Sequence, residues 1–417
     1  MFLKKTLALL FGIFTALLVF EVTIRFTPFA ELHMVTYDKW RGFALLPGAH
    51  GWYAREGRAY IRINHDGLRD VDHTKAKPKG VFRIAVLGDS YAEAQQIDLN
   101  RTFWWVMQEK LRACPALSGE KVEAINFGVR AYGTVQEWLS LRYYAWQYSP
   151  DFVVLAIYIG NDIVNNSVVL EANKCRPFLV ERQGKFVLGG PFFDSPTTRF
   201  RCFVRYESRH SQVANILGDA VMRIRSAIRE RLNKNHNANS PRDDGAWFLN
   251  PVYVEPRDEV WREAWDATDA AITMTAKEAQ SHGVGFLAVT LSDAFQVYPD
   301  PARREAYQRA LGVSDLFYPE RRIAKLGERE GFEVLNLAPI MQAYADRYHV
   351  YLHGFPNTEL GGGHWNELGH KLAGELIAQR ICDMLSRGST GRSIRAGADE
   401  SAPSPPLALS SSRQRQN

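Results

Sequence analysis

Four short segments of this 417-residue chain carry side chains able to do covalent chemistry: Gly88-Asp89-Ser90-Tyr91, residues 126–134, Gly160-Asn161-Asp162, and Gly361-Gly362-Gly363-His364-Trp365-Asn366. Taken singly, each has an ordinary explanation. A serine after an aspartate sits most often at a helix N-terminus, Gly-Asn-Asp is a common turn, and a histidine in a glycine-rich loop is a polar loop residue. Their order changes the reading. The first three each follow an apolar β-rich run and the fourth precedes the last helix, so all fall where open α/β sheets bind ligands. Ser90, at a strand-to-helix turn, offers a hydroxyl and a backbone N–H at a helix start, which favours developing negative charge. His364 would take the Ser90 proton and return it to a leaving alcohol. The Asn161 amide, the Ser90 N–H and one N–H from the 128–133 loop would surround a tetrahedral oxyanion, each donor being worth roughly 10²–10³ in rate. Gly128, Ala131 and Gly133 are the candidates for that loop donor. Such a set performs acyl transfer through an acyl-Ser90 intermediate.

The elements that must position these residues are legible as an alternation. Short apolar runs at 82–87, 122–126, 151–157, 284–291 and 332–337 read as strands, the third almost continuously apolar as a central parallel strand should be. Helical spacing occupies 103–111, 135–146, 260–281, 318–330 and about 366–385. Strands alternating with helix-length connections imply a parallel sheet covered on both faces. Residues 163–256 break the rhythm and read as an insertion or cap, with an amphipathic stretch at 211–232 and a polar run at 233–244. Residues 31–80 form a Gly- and Tyr-rich approach segment with room for a small β element. The domain organisation expected is therefore 1–30, 31–80, 81–386 and a disordered tail, 387–417.

The chain is 46% hydrophobic and 23% charged, an ordinary globular composition. A net charge of +5, from 51 basic and 46 acidic residues, does not indicate a nucleic-acid surface. Four scattered cysteines without a CxxC pair exclude a disulfide scaffold and a zinc module. No metal or cofactor is expected. Lys4-Lys5 followed by an apolar run to Ile24 gives close to the roughly 20 residues that span a bilayer. The lack of a good small-x-small site favours an uncleaved signal anchor over a cleaved signal peptide. Lys4 and Lys5 place the body outside the cytoplasm, on the periplasmic side of the inner membrane. Export would permit disulfides, and Cys175 and Cys202 either pair or remain free thiols.

In order, Gly88-Asp89-Ser90, the 126–133 loop, Gly160-Asn161-Asp162 and the His364 loop resemble the four blocks of the SGNH/GDSL hydrolase family. The match spans roughly 80–165 and 280–386. Its longer wording, Asp89-Ser90 with Glu93, Gly128 with Tyr132-Gly133-Thr134, Pro150-Asp151 and Asn161-Asp162-Ile163, looks like the membrane-anchored bacterial members. The resemblance implies a flavodoxin-like three-layer α/β/α sandwich and ester hydrolysis or acyl transfer without a cofactor. Two departures stand out. The usual oxyanion glycine is Ala131, tolerable if its backbone conformation fits. The usual aspartate three residues before the histidine is Gly361. Three outcomes are open: a backbone carbonyl orients His364, another carboxylate substitutes, with Glu359 nearest in sequence, or the enzyme is slow or inactive. His370 falls inside the last helix and reads as structural.

Trp104, Trp105, Trp138 and Trp146 lie at helical positions and read as core. Trp365, beside His364, is a candidate for lining an acyl or sugar pocket. The leading expectation is a membrane-tethered serine esterase or O-acyltransferase acting on O-acyl, chiefly O-acetyl, groups of an envelope or extracellular polysaccharide. A lipase would need an apolar channel in the insertion. A non-catalytic carbohydrate-binding or assembly component with a degenerate site is the alternative from another class. The oligomeric state is not readable.

Overall fold

The computed structural model describes residues 2–24, 33–214, 216, 218, 220–221 and 250–389. The expected polar run at 233–244, most of the amphipathic stretch 211–232 and the tail beyond 389 lie outside them. Among the described strands, β1 (Val35–Asp38) pairs antiparallel with β2 (Gly42–Leu45), and β3 (His50–Tyr53) with β4 (Ala59–Arg62). The central sheet follows: β5 (Val81–Leu87), β6 (Lys121–Asn126), β7 (Phe152–Tyr158), β10 (Gly285–Leu291) and β11 (Glu333–Asn336), with a hairpin of β8 (Phe178–Arg182) and β9 (Lys185–Gly189) inside the insertion. All pairings in the central sheet are parallel, in the order β11-β10-β7-β5-β6. Counted by first appearance within the sheet this is 2-1-3-4-5, the doubly wound order whose switch point lies between β5 and β7.

Alternation along β5 builds two cores. Phe82, Ile84 and Val86 face one side, with Phe103, Trp104 and Met107 of helix Phe103–Leu111, Met341 of Leu337–Tyr348 and Ile377 of the last helix, Glu367–Ser389. Ala85 and Leu87 face the other, with Leu141 of helix Thr134–Tyr143, Trp265 and Ile272 of Glu259–Ser281, and Ile323 of Tyr318–Glu330. Strands buried on both faces must be apolar throughout, which is why they were readable. Among the longer described helices, three were not foreseen: Pro196–Glu207, Pro301–Leu311 and Leu337–Tyr348. The expected helix at 135–146 stops at Tyr143 and continues as a 3₁₀ turn, Ala145–Tyr148.

All four cysteines pair. Cys175–Cys202 closes the insertion on itself, and Cys114–Cys382 joins the end of the Phe103–Leu111 region to the last helix across 268 residues. Helix Phe2–Ile24 is apolar and exposed, with a stretch Lys4–Ile24 long enough to cross a membrane. Its carboxylate, Glu21, accepts hydrogen bonds from Ser211 Oγ (2.8 Å) and from the Gln212 and Val213 N–H groups (3.0 and 2.9 Å), capping the turn after Ser211.

Candidate active site

Gly88 follows β5, and Asp89 caps the short helix Ser90–Glu93 by accepting the Tyr91 N–H at 2.9 Å. Asn126, at the end of β6, fixes this turn from below: its amide donates to Ala92 O (2.9 Å) and its Oδ1 accepts the Gly128 N–H (2.9 Å). Ser90 Oγ lies 2.9 Å from His364 Nε2, and His364 Nδ1 lies 2.6 Å from Glu56 Oε2. The other Glu56 oxygen accepts the His364 backbone N–H at 2.6 Å. Carboxylate, imidazole and hydroxyl thus form one hydrogen-bonded line, with the donated Nδ1–H leaving Nε2 as the acceptor for the serine proton. Burial alone would raise the Glu56 carboxyl. The hydrogen bonds and charge of His364, with a further bond from Gln96, outweigh it and hold the group below its ordinary range.

Glu56 sits at the tip of the β3–β4 hairpin, in the approach segment, where sequence reasoning assigned no chemistry. Asn357 clamps that tip, accepting the Gly57 N–H (2.9 Å) and donating to Ala54 O (3.1 Å) and Gly57 O (3.0 Å). Glu359, the nearest carboxylate in sequence, is instead exposed and faces Arg303 at 4.0 Å. Position 361 cannot carry an acid: Gly361 has φ +83°, and a Cβ there would run into the Tyr298 ring. Gly363, also at positive φ, is needed because a Cβ would strike the Glu56 carboxylate itself.

The loop bearing His364 is pinned from the core. Burial pushes the His353 imidazole down to about 4, so it is neutral at pH 7. Its Nδ1–H donates to Gly363 O (2.8 Å), and its Nε2 lies 3.2 Å from Ser292 Oγ, which accepts the Trp365 indole N–H (2.8 Å). Trp365 is therefore a fully buried core residue, not a cleft wall. The bridge between His353 and Trp365 shows why: in extended backbone, neighbouring side chains point to opposite sides, sending His364 to the cleft and Trp365 inward. His370 is fully buried and lies 3.2 Å from the Phe103 N–H through Nδ1. Trp104 and Trp138 are buried, and Trp105 and Trp146 pack against the two cores.

Among the loop candidates for an oxyanion donor, only Ala131 lines the cleft with Ser90 and Asn161. Gly128 is spent on Asn126 Oδ1 and lies so close to Ala92 that a Cβ would collide. Gly133 is packed against Asn165 and Asn166. Ala131 adopts φ +60°, and its carbonyl is held by Arg176 (2.6 Å), so a strained backbone is fixed beside the serine. Burial raises the neighbouring Asp89 carboxyl, against the Tyr91 N–H, the charge of His364 and the Asn161 side chain. Among the described residues no group of His, Cys, Asp and Glu has the arrangement of a metal site.

A doubly wound parallel sheet gathers the serine, asparagine and histidine blocks at its strand ends. No protein-family model matches the chain, and no curated protein matches it. Solved structures do. The chain is similar to the acetyl xylan esterase AlAXEase at 12% identity, covering 72% of this chain and 100% of that one with a TM-score of 0.36. It is similar to the lipase/acylhydrolase from Enterococcus faecalis at 14%, covering 73% and 96% with a TM-score of 0.35. A catalytic mutant of Axe2, an acetylxylan esterase from Geobacillus stearothermophilus, matches at 9%, covering 74% and 96% with a TM-score of 0.36.

Proposed function

We propose that the protein is a serine esterase whose catalytic residues are Ser90, His364 and Glu56, acting on O-acyl groups of an extracytoplasmic glycan. The observation that carries the reading is the unbroken line of hydrogen bonds from Glu56 through His364 to Ser90 Oγ. Ser90 Oγ attacks the acyl carbonyl carbon while its proton moves to His364 Nε2. The oxyanion is received by the Ser90 N–H, the Asn161 amide and the Ala131 N–H. The carbon–oxygen bond of the ester then breaks, and the leaving alcohol takes the proton from Nε2. Water attacks acyl-Ser90, passes its proton to Nε2 and releases the acid as Ser90 is reprotonated. A sugar hydroxyl in place of that water makes the same intermediate an O-acyltransferase. Glu56 keeps the imidazole in the required tautomer and stabilises its charged form.

The alternative of a decayed binding component rested on the missing acid at Gly361, a place that Glu56 takes in this reading. Helix Phe2–Ile24 serves in this reading as an uncleaved single-pass anchor with the body on the periplasmic side. Its Glu21 contact reaches residues 211–213, next to the cleft-lining Ser208 and Ala214. The test is p-nitrophenyl acetate turnover and acetyl release from an O-acetylated glycan by the full chain in non-ionic detergent. Turnover is expected in the wild type and absent in Ser90→Ala. Equal background rates in both would overturn the esterase reading.

A further inference from the structure

The cleft around Ser90 has a volume of about 1690 Å³, above the roughly 300–1,000 Å³ that encloses a small ligand. An acetyl group and one sugar leave most of it unfilled, so its walls describe what else is bound. Arg55, Arg130, Arg205 and Arg303 all line it. Arg55 adjoins Glu56 on the hairpin tip, and Arg130 adjoins Ala131. Among the described residues the Arg130 guanidinium hydrogen-bonds only a neutral side chain, Gln95 Oε1 (3.1 Å), and the Arg205 guanidinium only Asn173 Oδ1 (3.3 Å). Neither they nor Arg55 has an ion pair among the described residues, and Arg303 meets Glu359 only at 4.0 Å. The carboxylates that line the cleft are Asp293 and Glu359, and Asp293 already accepts the Tyr158 hydroxyl at 2.7 Å. The rim also carries Trp52, 61% exposed, its ring set by Tyr60 (centroids 5.5 Å, edge-on) and by the Arg58 guanidinium at 4.9 Å. The open indole face of Trp52 at the cleft rim suits the C–H face of a sugar ring.

Resting on the esterase reading for the chemistry at Ser90, we propose that the cleft binds an anionic glycan several sugars long. One ring stacks on Trp52, and the repeating negative charges meet Arg55, Arg130, Arg205 and Arg303. Guanidinium forks pair bidentately with carboxylates and with phosphates, so the shared chemistry is a repeating oxyanion on a sugar backbone. Placing Arg55 one residue from Glu56 couples recognition of the charge to the hairpin that completes the catalytic line.

The test measures equilibrium binding by the full-length Ser90→Ala chain in non-ionic detergent, so that no turnover is needed. Three oligomers of equal length are compared: a polyuronate, a phosphodiester-linked glycan and a neutral xylan fragment. At least one anionic oligomer should bind about tenfold or more tightly than the neutral one, and that preference should fall several-fold between 50 and 500 mM NaCl. The better anionic oligomer identifies the source of the charge. Adding Arg55→Gln and Arg303→Gln should reduce the preference about tenfold, while Trp52→Ala weakens all oligomers. Equal affinity for neutral and anionic oligomers, no binding of any, or a preference unmoved by salt would overturn the proposal. The salt series uses no arginine variant, so it stands even if those variants fail to fold. Wild-type against Ser90→Ala turnover of p-nitrophenyl acetate reads the esterase chemistry separately, so the two readings fail independently.

Discussion

Glu56 and His364 are 308 positions apart, and their contact is the feature least readable from the chain. Ser90, Asn161 and His364 were legible because each sits in a short block at a strand or helix end. A lone glutamate in a turn carries no such mark, and the only hint was the apolar alternation on either side of Arg55-Glu56-Gly57. Trp365 was misplaced for a related reason, since adjacency to His364 in sequence means opposition in extended backbone. Buried acids can be read physically once the fold is known. Glu320 is 1% exposed, and its Oε1 accepts from Gln296 (2.7 Å), which braces the cleft-wall segment around Phe295. Burial, only partly offset by the Gln296 hydrogen bond, pushes this carboxyl up to about 7 from 4.5. Because the folded value is raised, the contribution is fully present below about pH 4.5. It is lost as pH rises to about 7, on the order of 3 kcal/mol between the two limits. Glu320→Gln should therefore raise the Tm by several degrees at pH 8 and by little at pH 4.5. Thermal melts across that range check it, and equal shifts at both ends would contradict the titration.

At the scale of elements, the central strands and most of their helices were foreseen because a sheet buried on both faces demands continuous apolar runs. The β3–β4 hairpin was seen only as a possible β element, since four-residue strands with exposed faces leave a weak pattern. Yet this hairpin delivers the carboxylate, and its tip depends on Asn357 for three hydrogen bonds. Small displacements of a catalytic group can cost up to about 10² in rate. Asn357→Ala is expected to lower kcat for p-nitrophenyl acetate about 10- to 100-fold, with KM little changed and the Tm within a few degrees of wild type. Steady-state kinetics beside a thermal melt separate the two effects, and an unchanged kcat would mean that the tip holds Glu56 without the clamp.

For the whole molecule, the two disulfides suit an exported body, and the longer one ties an early part of the sheet's helical layer to the last helix. The Cys175–Cys202 pair was one of two alternatives open from sequence, whereas Cys114–Cys382 had no sequence signal, because a separation of 268 positions hides the contact. Closing so long a loop constrains the unfolded chain, and its loss typically costs about 2–5 kcal/mol. Thiol titration of the denatured, unreduced protein should find no free thiol, and after reduction all four cysteines should react. Reduction should also lower the Tm. Reactive thiols before reduction would contradict both pairings.

The central claim is that Glu56, through His364, activates Ser90. It is tested most directly by the rate at which a serine-directed phosphonate labels the full chain, with the modified residue located by mass spectrometry. Labelling should fall on Ser90, persist at the wild-type rate in Glu359→Gln, and slow by about 10³–10⁴-fold in Glu56→Gln, where the imidazole loses its orienting charge. A label on another residue, or wild-type labelling of Glu56→Gln, would contradict the account.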